Sequence, residues 1–176
     1  MLHIYKVYKI INIIAILTMV ISTAVTGADS SLVLKGTITE QGCTVDAQDT
    51  GKTVNLGEWS VKALRGMPGL TTPPVSFTVH LTDCTAGTVK TTFTGEHDTT
   101  DQALISLNDS STAKKVAIEL LEADGSLLSL NRMSSPVHVA SDGKVNLVFK
   151  ARDISTGSDV SAGSANAEAI FELTYE

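Results

Sequence analysis

Residues 161–176 read SAGSANAEAIFELTYE, in which small or apolar residues alternate with mostly polar ones. Successive side chains of a β-strand point to opposite faces, so this alternation predicts a long strand with one apolar face. That face consists of Gly163, Ala165, Ala167, Ala169, Phe171, Leu173 and Tyr175. We therefore expect this part of the chain to be extended rather than helical.

A second alternating segment lies near the other end of the chain, in residues 28–47, ADSSLVLKGTITEQGCTVDA. Its predicted inner face consists of Ser30, Leu32, Leu34, Gly36 and Ile38. An extended segment with an apolar face and unpaired backbone groups is prone to pair with another strand. We therefore predict that this segment pairs with another strand.

The residues between these segments also predict strands and turns. Apolar residues recur at every second position in 75–82, 89–94 and 145–150. The same spacing occurs in 116–120, although 115–123 also fits a short helix. The dipeptides Asp124-Gly125 and Asp142-Gly143 favour hairpin turns, and the glycines and prolines of 65–74 indicate a loop. Short strands without long helical spacers are typical of an antiparallel β-sandwich.

The first 27 residues have the pattern of a secretory signal peptide. Lys6 and Lys9 precede the apolar run 10–21, and small residues follow in 22–28. The run is too short for a transmembrane helix, which needs about 20 apolar residues. We place cleavage after Gly27, with Ala24 and Ala28 as alternative sites, while a buried or interfacial helix is the competing interpretation. Export would leave 149 residues.

Cys43 and Cys84 are the two cysteines of the sequence. In an oxidising compartment an isolated pair is expected to form a disulfide. A metal site or a redox pair is the alternative, but the sequence has no C-x-x-C motif and no histidine at ligand spacing from either cysteine. The sequence therefore predicts a structural Cys43–Cys84 disulfide.

Charge and composition exclude several kinds of partner. The net charge is −6 with a pI near 5.1, and removal of residues 1–27, which hold two lysines and no acid, makes it −8. A nucleic-acid-binding surface is normally basic, because it must neutralise phosphates. Aromatic residues make up 5% of the chain, so stacking platforms for bases or sugars are scarce. We expect no nucleic-acid partner.

Taken together, these features resemble the subunits of chaperone–usher fimbriae of the type 1 pilus kind, and are closest to their minor or adaptor subunits. The stretch 28–47 is similar to that family's N-terminal extension and first strand, with Gly36 and the first cysteine in register. TTPPVSFTVHLTDC (71–84) is similar to the segment before its second cysteine, and 161–176 to its closing strand. The resemblance implies a signal peptide in 1–27, a donor-strand extension in 28–39 and a pilin domain in 40–176.

The resemblance also implies a fold and partners. The fold would be all-β: an incomplete immunoglobulin-like antiparallel β-sandwich that lacks its final strand. A donor strand from a neighbouring subunit would complete it, in a head-to-tail polymer. A periplasmic chaperone would fill the groove beforehand, and an outer-membrane usher would pass the subunit to a fimbria on the surface of a Gram-negative bacterium. On this hypothesis Ser30, Leu32, Leu34, Gly36 and Ile38 enter a neighbour's groove. The face from Gly163 to Tyr175 forms the edge strand that the chaperone or donor covers.

No catalytic constellation is recognisable in the sequence. His80, His97 and His138 have no partner at metal-ligand spacing, and His80 falls on the polar face of its predicted strand. Glu119 and Glu122 fall on opposite strand faces and are interpreted as a solvated edge. We expect no enzyme activity, cofactor, metal or small-molecule substrate.

Other hypotheses about the function of the chain stay open at this point. A free-standing secreted carbohydrate-binding or adhesin module, and a secreted sandwich enzyme, are the alternatives to a fimbrial subunit. Within the fimbrial reading, the start Ala28-Asp29-Ser30-Ser31 favours an adaptor over a shaft subunit.

Overall fold

The structure is a computed structural model that describes residues 30–36, 42–85 and 87–176. Its strands are β1 (Ser30–Gly36), β2 (Thr44–Val45), β3 (Thr53–Gly57), β4 (Val75–Thr82), β5 (Thr88–Gly95), β6 (Val116–Glu122), β7 (Val137–His138), β8 (Val145–Ser155) and β9 (Ala165–Tyr175). A single 3-10 turn, Val61–Ala63, is the helical element of the described residues. The all-β prediction is confirmed.

The strands form two sheets packed face to face. One has the order β3-β1-β9-β5-β7 and the other the order β2-β4-β8-β6. Most strand pairs are antiparallel, as expected. The pair β1–β9 is parallel, which departs from the antiparallel prediction. Gly36 lies opposite Phe171 and Gly42 lies against the Tyr175 ring, so the chain advances along β9 in the direction of β9 itself.

The strand predictions for 75–82, 89–94 and 145–150 are confirmed, because β4, β5 and β8 cover them. The helical alternative for 115–123 is wrong: residues 116–122 form strand β6, six of whose seven residues are buried. Both predicted turn dipeptides lie in turns, and 65–74 lies between strands. Alternation therefore identified β4, β5 and β8, whereas β3 (Thr53–Gly57), which also buries one face, was not predicted.

The core lies between the sheets, and aromatic rings fill its centre. Phe93 packs edge-on against Phe149 with 5.0 Å between ring centroids, and Phe77 contacts both rings. Cys43 and Cys84 form the predicted disulfide, beside the paired strands β2 and β4. The bond joins the residue just before β2 to a residue just after the end of β4.

Two details of the predictions are corrected. Gly163 was expected in the closing strand, but β9 begins at Ala165. A Cβ at Gly163 would lie 2.3 Å from the Ala113 nitrogen, so this residue is pressed against a neighbouring segment rather than paired in the strand. Glu119 was expected at a solvated edge, but it is buried and its carboxylate pairs with Arg152 on β8. The guanidinium lowers the cost of placing the acid there.

Residues 1–27, the predicted signal peptide, lie outside the described residues. In the part of the chain that the structure describes, no helix has the length and hydropathy needed to cross a membrane.

Candidate functional site: the groove that holds β1

Strand β1 lies in a slot between β3 and β9, which we call the β1 groove. Leu32 is paired with Ala167 on one side and with Val54 on the other. Towards the end of the strand, the Leu34 N–H donates to the Lys52 carbonyl oxygen at 2.8 Å. A strand with partners on both sides has its backbone groups satisfied, and removing it would leave two open edges.

The inner face of β1 is buried against the core. Leu32 and Leu34 are completely buried and belong to the main core cluster. On β9, the neighbouring residues of the same face are Ala167 and Ala169, whose small side chains leave room for the leucines. Burial of two leucine side chains stabilises a strand by about 3–6 kcal/mol before ordering costs. This face is the main apolar contribution of β1.

One end of the groove is a tight steric fit. Gly36 lies opposite Phe171, and a Cβ on Gly36 would come within 2.3 Å of the ring atom Cζ. Real Cβ contacts are never this short, and Phe171 is itself completely buried, so the ring has little freedom to move. Glycine is required here by the close approach of the aromatic ring.

The other end of the groove is polar. Ser30 is buried, and its Oγ donates to Asp153 Oδ1 at 2.7 Å, with Ala165 O a second acceptor at 3.0 Å. Asp153 lies on β8 of the opposite sheet and is 3% exposed. Burial raises the pKa of Asp153, and the hydroxyls of Ser30 and Thr72 oppose this shift only in part.

The outer face of β1 makes polar contacts near the surface. Ser31 Oγ donates to Asn166 Oδ1 at 2.6 Å, and Lys35 Nζ lies 2.8 Å from Glu168 Oε2. Both side chains of the Lys35–Glu168 pair are more than half exposed. Exposed pairs of this kind contribute about 0.2–1 kcal/mol. The inner face therefore dominates the binding of β1.

The far end of β9 packs on the disulfide region. The Tyr175 ring lies against Gly42, where a Cβ would come within 2.5 Å of ring atoms. Burial raises the pKa of Tyr175, although a hydrogen bond with the Cys43 backbone opposes the shift. This contact joins Gly42, the residue before Cys43, to the end of β9.

The structure brings most of the predicted site residues together. Ser30, Leu32, Leu34 and Gly36 share the inner face of β1, while Ala165, Ala167, Ala169 and Phe171 form the facing wall. Leu173 and Tyr175 are partly buried against the core. Ile38 lies outside the described residues. Gly163 lies before β9 and lines the cavity beside Ser30.

Sequence reasoning missed Asp153. The prediction ended the strand at residue 150, whereas β8 continues to Ser155 with the same alternating burial. An acid at an inward-facing position of that alternation is the signal that could have identified it. A charged residue on a buried face normally has a specific partner.

A second buried carboxylate, Asp49, lies away from the groove. It accepts hydrogen bonds from the His80 backbone N–H at 2.6 Å and from Lys52, and its Oδ2 lies 2.7 Å from His80 Nδ1. Burial would raise the pKa of Asp49, but these hydrogen bonds outweigh it and lower the pKa. The cluster fixes the loop before β3 against β4.

Across 30–36, 42–85 and 87–176, no group of three or more His, Cys, Asp or Glu side chains is arranged to hold a metal ion.

Comparisons with known proteins agree on one family. The family model described as fimbrial protein matches residues 32–176. The chain is 37% identical over 142 residues to the fimbrial-like protein FimF of Salmonella typhimurium, with 81% of each chain covered. It is similar to the crystal structure of a Burkholderia pseudomallei antigen and type I fimbria protein, at 28% identity and a TM-score of 0.61, covering 85% of this chain and 95% of that one. The P pilus rod subunit PapA, at 22% identity, shares the fold with a TM-score of 0.62, covering 77% of this chain and 99% of PapA.

Proposed function

The chain belongs to the fimbrial protein family and is a structural subunit of a fimbria; on that premise we propose that it assembles by exchanging β1 between neighbouring subunits. In the assembled fibre, residues 28–39 of one subunit would occupy the β1 groove of the next. The domain in 40–176 would supply that groove. The known form of such recognition is addition of a strand to a sheet edge, with backbone hydrogen bonds giving affinity and side-chain pockets giving specificity.

The observation that carries the proposal is the position of β1. It is the first described strand, and it buries Leu32 and Leu34 in a core built otherwise by residues 43–171. A strand near one end of a chain can leave its slot and enter that of another copy without threading. Each subunit then has one donor strand and one groove, and head-to-tail insertion without closure gives an open filament.

The residues of this interaction follow from the inner face of β1. We propose that Ser30, Leu32, Leu34, Gly36 and Ile38 enter the groove of the neighbour. The wall they meet would be Ala165, Ala167, Ala169, Phe171, Leu173 and Tyr175 of that neighbour. Gly36 would set the register, because Phe171 leaves no room for a side chain at that position.

The same groove requires protection before assembly. An open slot between β3 and β9 would expose apolar side chains and two unpaired strand edges, which is an aggregation hazard. We propose that a periplasmic chaperone covers the groove after removal of residues 1–27. An outer-membrane usher would then pass the subunit to the fimbria at the surface of a Gram-negative cell.

Within the fimbria we propose a minor or adaptor position. The 37% identity to the fimbrial-like protein FimF supports this position. The start Ala28-Asp29-Ser30-Ser31 agrees with it. A free-standing carbohydrate-binding module is not favoured, since the family model spans most of the chain. Such a module would use surface aromatic rings to stack on sugars. The single tryptophan, Trp59, is 43% exposed, but its indole N–H already donates to the Leu56 carbonyl oxygen.

The test is refolding of an oxidised chain that lacks residues 28–39, with and without a synthetic peptide of those residues. The peptide should raise the melting temperature by several degrees, because about 3–6 kcal/mol of leucine burial depends on it. A peptide with Leu32→Asp and Leu34→Asp should have no effect, because buried unpaired carboxylates are costly.

A matched control is the peptide with Val33→Lys. Val33 lies on the outer face of β1 opposite Glu168, so a charge of opposite sign there should leave most of the stabilisation in place. A truncated chain that melts cooperatively and ignores all three peptides would refute strand exchange.

A further inference from the structure

The connection between β2 and β3 lies along the outer edge of β4, where a strand could pair. In the part of the chain that the structure describes, β2 pairs with two residues of β4, Leu81 and Thr82. Strand β4 itself begins at Val75, and its other edge is paired with β8. The outer edge before Leu81 therefore has backbone groups that no strand satisfies. Such an edge is a template for pairing with another chain.

Three groups of the connection take the place of a strand there. The Asp46 N–H donates to the His80 carbonyl oxygen at 3.0 Å, and the His80 N–H donates to Asp49 Oδ2 at 2.6 Å. Lys52 Nζ donates to the Thr78 carbonyl oxygen at 2.6 Å. A backbone amide, a carboxylate and an ammonium group thus satisfy three successive groups of the edge.

Asp49 and Lys52 hold each other in these positions. Asp49 is 2% exposed, and its Oδ1 pairs with Lys52, whose side chain is partly buried. The oxygen that accepts the His80 N–H also lies 2.7 Å from His80 Nδ1. A strand that displaced either side chain would leave the other charge buried without its partner, which is strongly destabilising. Charged side chains beside an edge oppose pairing for this reason.

The uncovered part of the edge is short. Pro73 and Pro74 come directly before β4, and proline has no N–H to donate to a partner strand. Residues 75–77 are left, and Ser76 is the one whose backbone groups face outward, since these groups alternate between the two edges of a strand. This stretch and Lys52 line a groove of about 410 Å³ between β4 and β3.

The outer edges of β5 and β6 are covered in a different way. The Asn131 N–H donates to the Phe93 carbonyl oxygen of β5 at 2.8 Å. The Ile105 N–H donates to the Ile118 carbonyl oxygen of β6 at 2.9 Å. Backbone segments therefore cover parts of those edges, whereas β4 is covered largely by two charged side chains.

We infer that Asp49 and Lys52 form an edge guard, which keeps strands of other copies from pairing with β4. The inference rests on the proposed function and deepens it. If subunits assemble by accepting a strand in the β1 groove, a second receptive edge would let one subunit hold two partners. Branched aggregates would then compete with the open filament. The edge guard thus makes this surface a determinant of assembly specificity.

The first test removes the ammonium group with Lys52→Met in the full exported chain. Methionine keeps an apolar stem but leaves the Thr78 carbonyl oxygen open. We expect the folded variant to self-associate, with an apparent dissociation constant at least about tenfold lower than that of the parent, measured by size-exclusion chromatography with light scattering. Lys52→Gln replaces this variant if the methionine chain does not fold.

Arg152→Met is the matched control. It also removes the cation of an ion pair, that with the buried Glu119, in the same sheet. Arg152 lies on β8, which has β4 on one side and β6 on the other, so its loss opens no edge. This variant should associate no more than the parent. Equal association of the Arg152→Met and Lys52→Met chains would mean that lost stability drives it, and would overturn the inference.

Hydrogen exchange locates the contact. If copies pair through β4, the outward-facing N–H groups of Ser76 and Thr78 should become protected from exchange when Lys52→Met is concentrated. Adding Ser76→Pro removes one of these donors and should return association to the level of the parent. Association without protection of the two amides would overturn the inference, as would a folded Lys52→Met chain that associates no more than the parent.

An excess of peptide 28–39 separates the edge guard from strand exchange, because the peptide is directed to the β1 groove. Association of Lys52→Met should persist in its presence. Association that the peptide abolishes would run through the β1 groove, which overturns the edge guard and leaves strand exchange intact. If the peptides fail in the refolding test above, strand exchange is refuted, while protection of Ser76 and Thr78 still decides whether β4 is guarded.

Discussion

The two ends of the β1 groove hold the same strand by different physics. At the Gly36 end, the Phe171 ring excludes any side chain, and the constraint is one of shape. At the Ser30 end, the Ser30 hydroxyl donates a hydrogen bond to the buried Asp153 carboxyl, so the constraint is one of hydrogen bonding. Leucines between them provide apolar burial that tolerates substitution by other apolar residues. We therefore expect the ends to fix the register of a strand in this groove and the leucines between them to provide most of its affinity.

The largest effect should come from breaking the steric end with Gly36→Arg. A Cβ would overlap the Phe171 ring, and overpacking of a buried site costs about 1–3 kcal/mol even before a long charged side chain is placed there. We expect at least about tenfold less incorporation into fibres, measured by electron microscopy and immunoblot of sheared fimbriae. The circular dichroism spectrum of the chain should still report a β-sandwich.

Lys35→Arg is the matched control for that substitution. It places an arginine one position away on the exposed outer face of β1, and incorporation should be unchanged. Normal fibres from the Gly36→Arg chain would show that the register proposed for the donor strand is wrong.

A smaller effect is expected at the polar end, where the stability of the fold should depend on pH through Asp153. The pKa of Asp153 is raised by burial, so the native state holds its proton more tightly than the unfolded chain. This group therefore favours folding at acid pH, and its contribution is lost as pH rises from the unfolded value of 3.8 through the folded pKa. Asp153→Asn should remove that decline in stability. Urea unfolding between pH 3 and 7 measures it.

The pKa of Asp49 is shifted in the opposite direction, and the same urea unfolding experiment tests it. Its pKa is lowered, so its stabilisation is present above 3.8 and is lost as pH falls through the folded pKa. Asp49→Asn should therefore reduce the loss of stability in the acid range, where Asp153→Asn has little effect. Parallel curves for the parent chain and Asp153→Asn would contradict the environment assigned to Asp153.

The sequence predicted the strands of the groove but not the direction of β1. The alternation of Ser30, Leu32 and Leu34, and of Ala165, Ala167 and Ala169, identified both strands because each has one buried face. It could not give the direction of β1 beside β9, since alternation is the same in parallel and antiparallel pairs. The direction is given by pairs of residues distant in sequence, from Ser30 with Ala165 to Gly36 with Phe171.

Asp153 escaped prediction for a related reason. A single acid in a strand normally marks the solvent face, and only the continued burial of β8 to Ser155 places it in the core. Its partner Ser30 is 123 positions away along the chain. Short-range patterns therefore locate the strands of this groove, whereas the chemistry at its polar end arises from contacts between the sheets.

The smallest effect should come from the outer face, where Lys35→Ala removes the pair with Glu168. The two side chains are 58% and 52% exposed, so water and salt screen their attraction. A double-mutant cycle with Glu168→Ala should give a coupling of about 0.2–1 kcal/mol in urea unfolding at low salt. In about 1 M salt, where the screening length is roughly 3 Å, the coupling should approach zero. A coupling that exceeds this range and survives high salt would mean that the charge pair, and not the two ends of the groove, sets the register of β1.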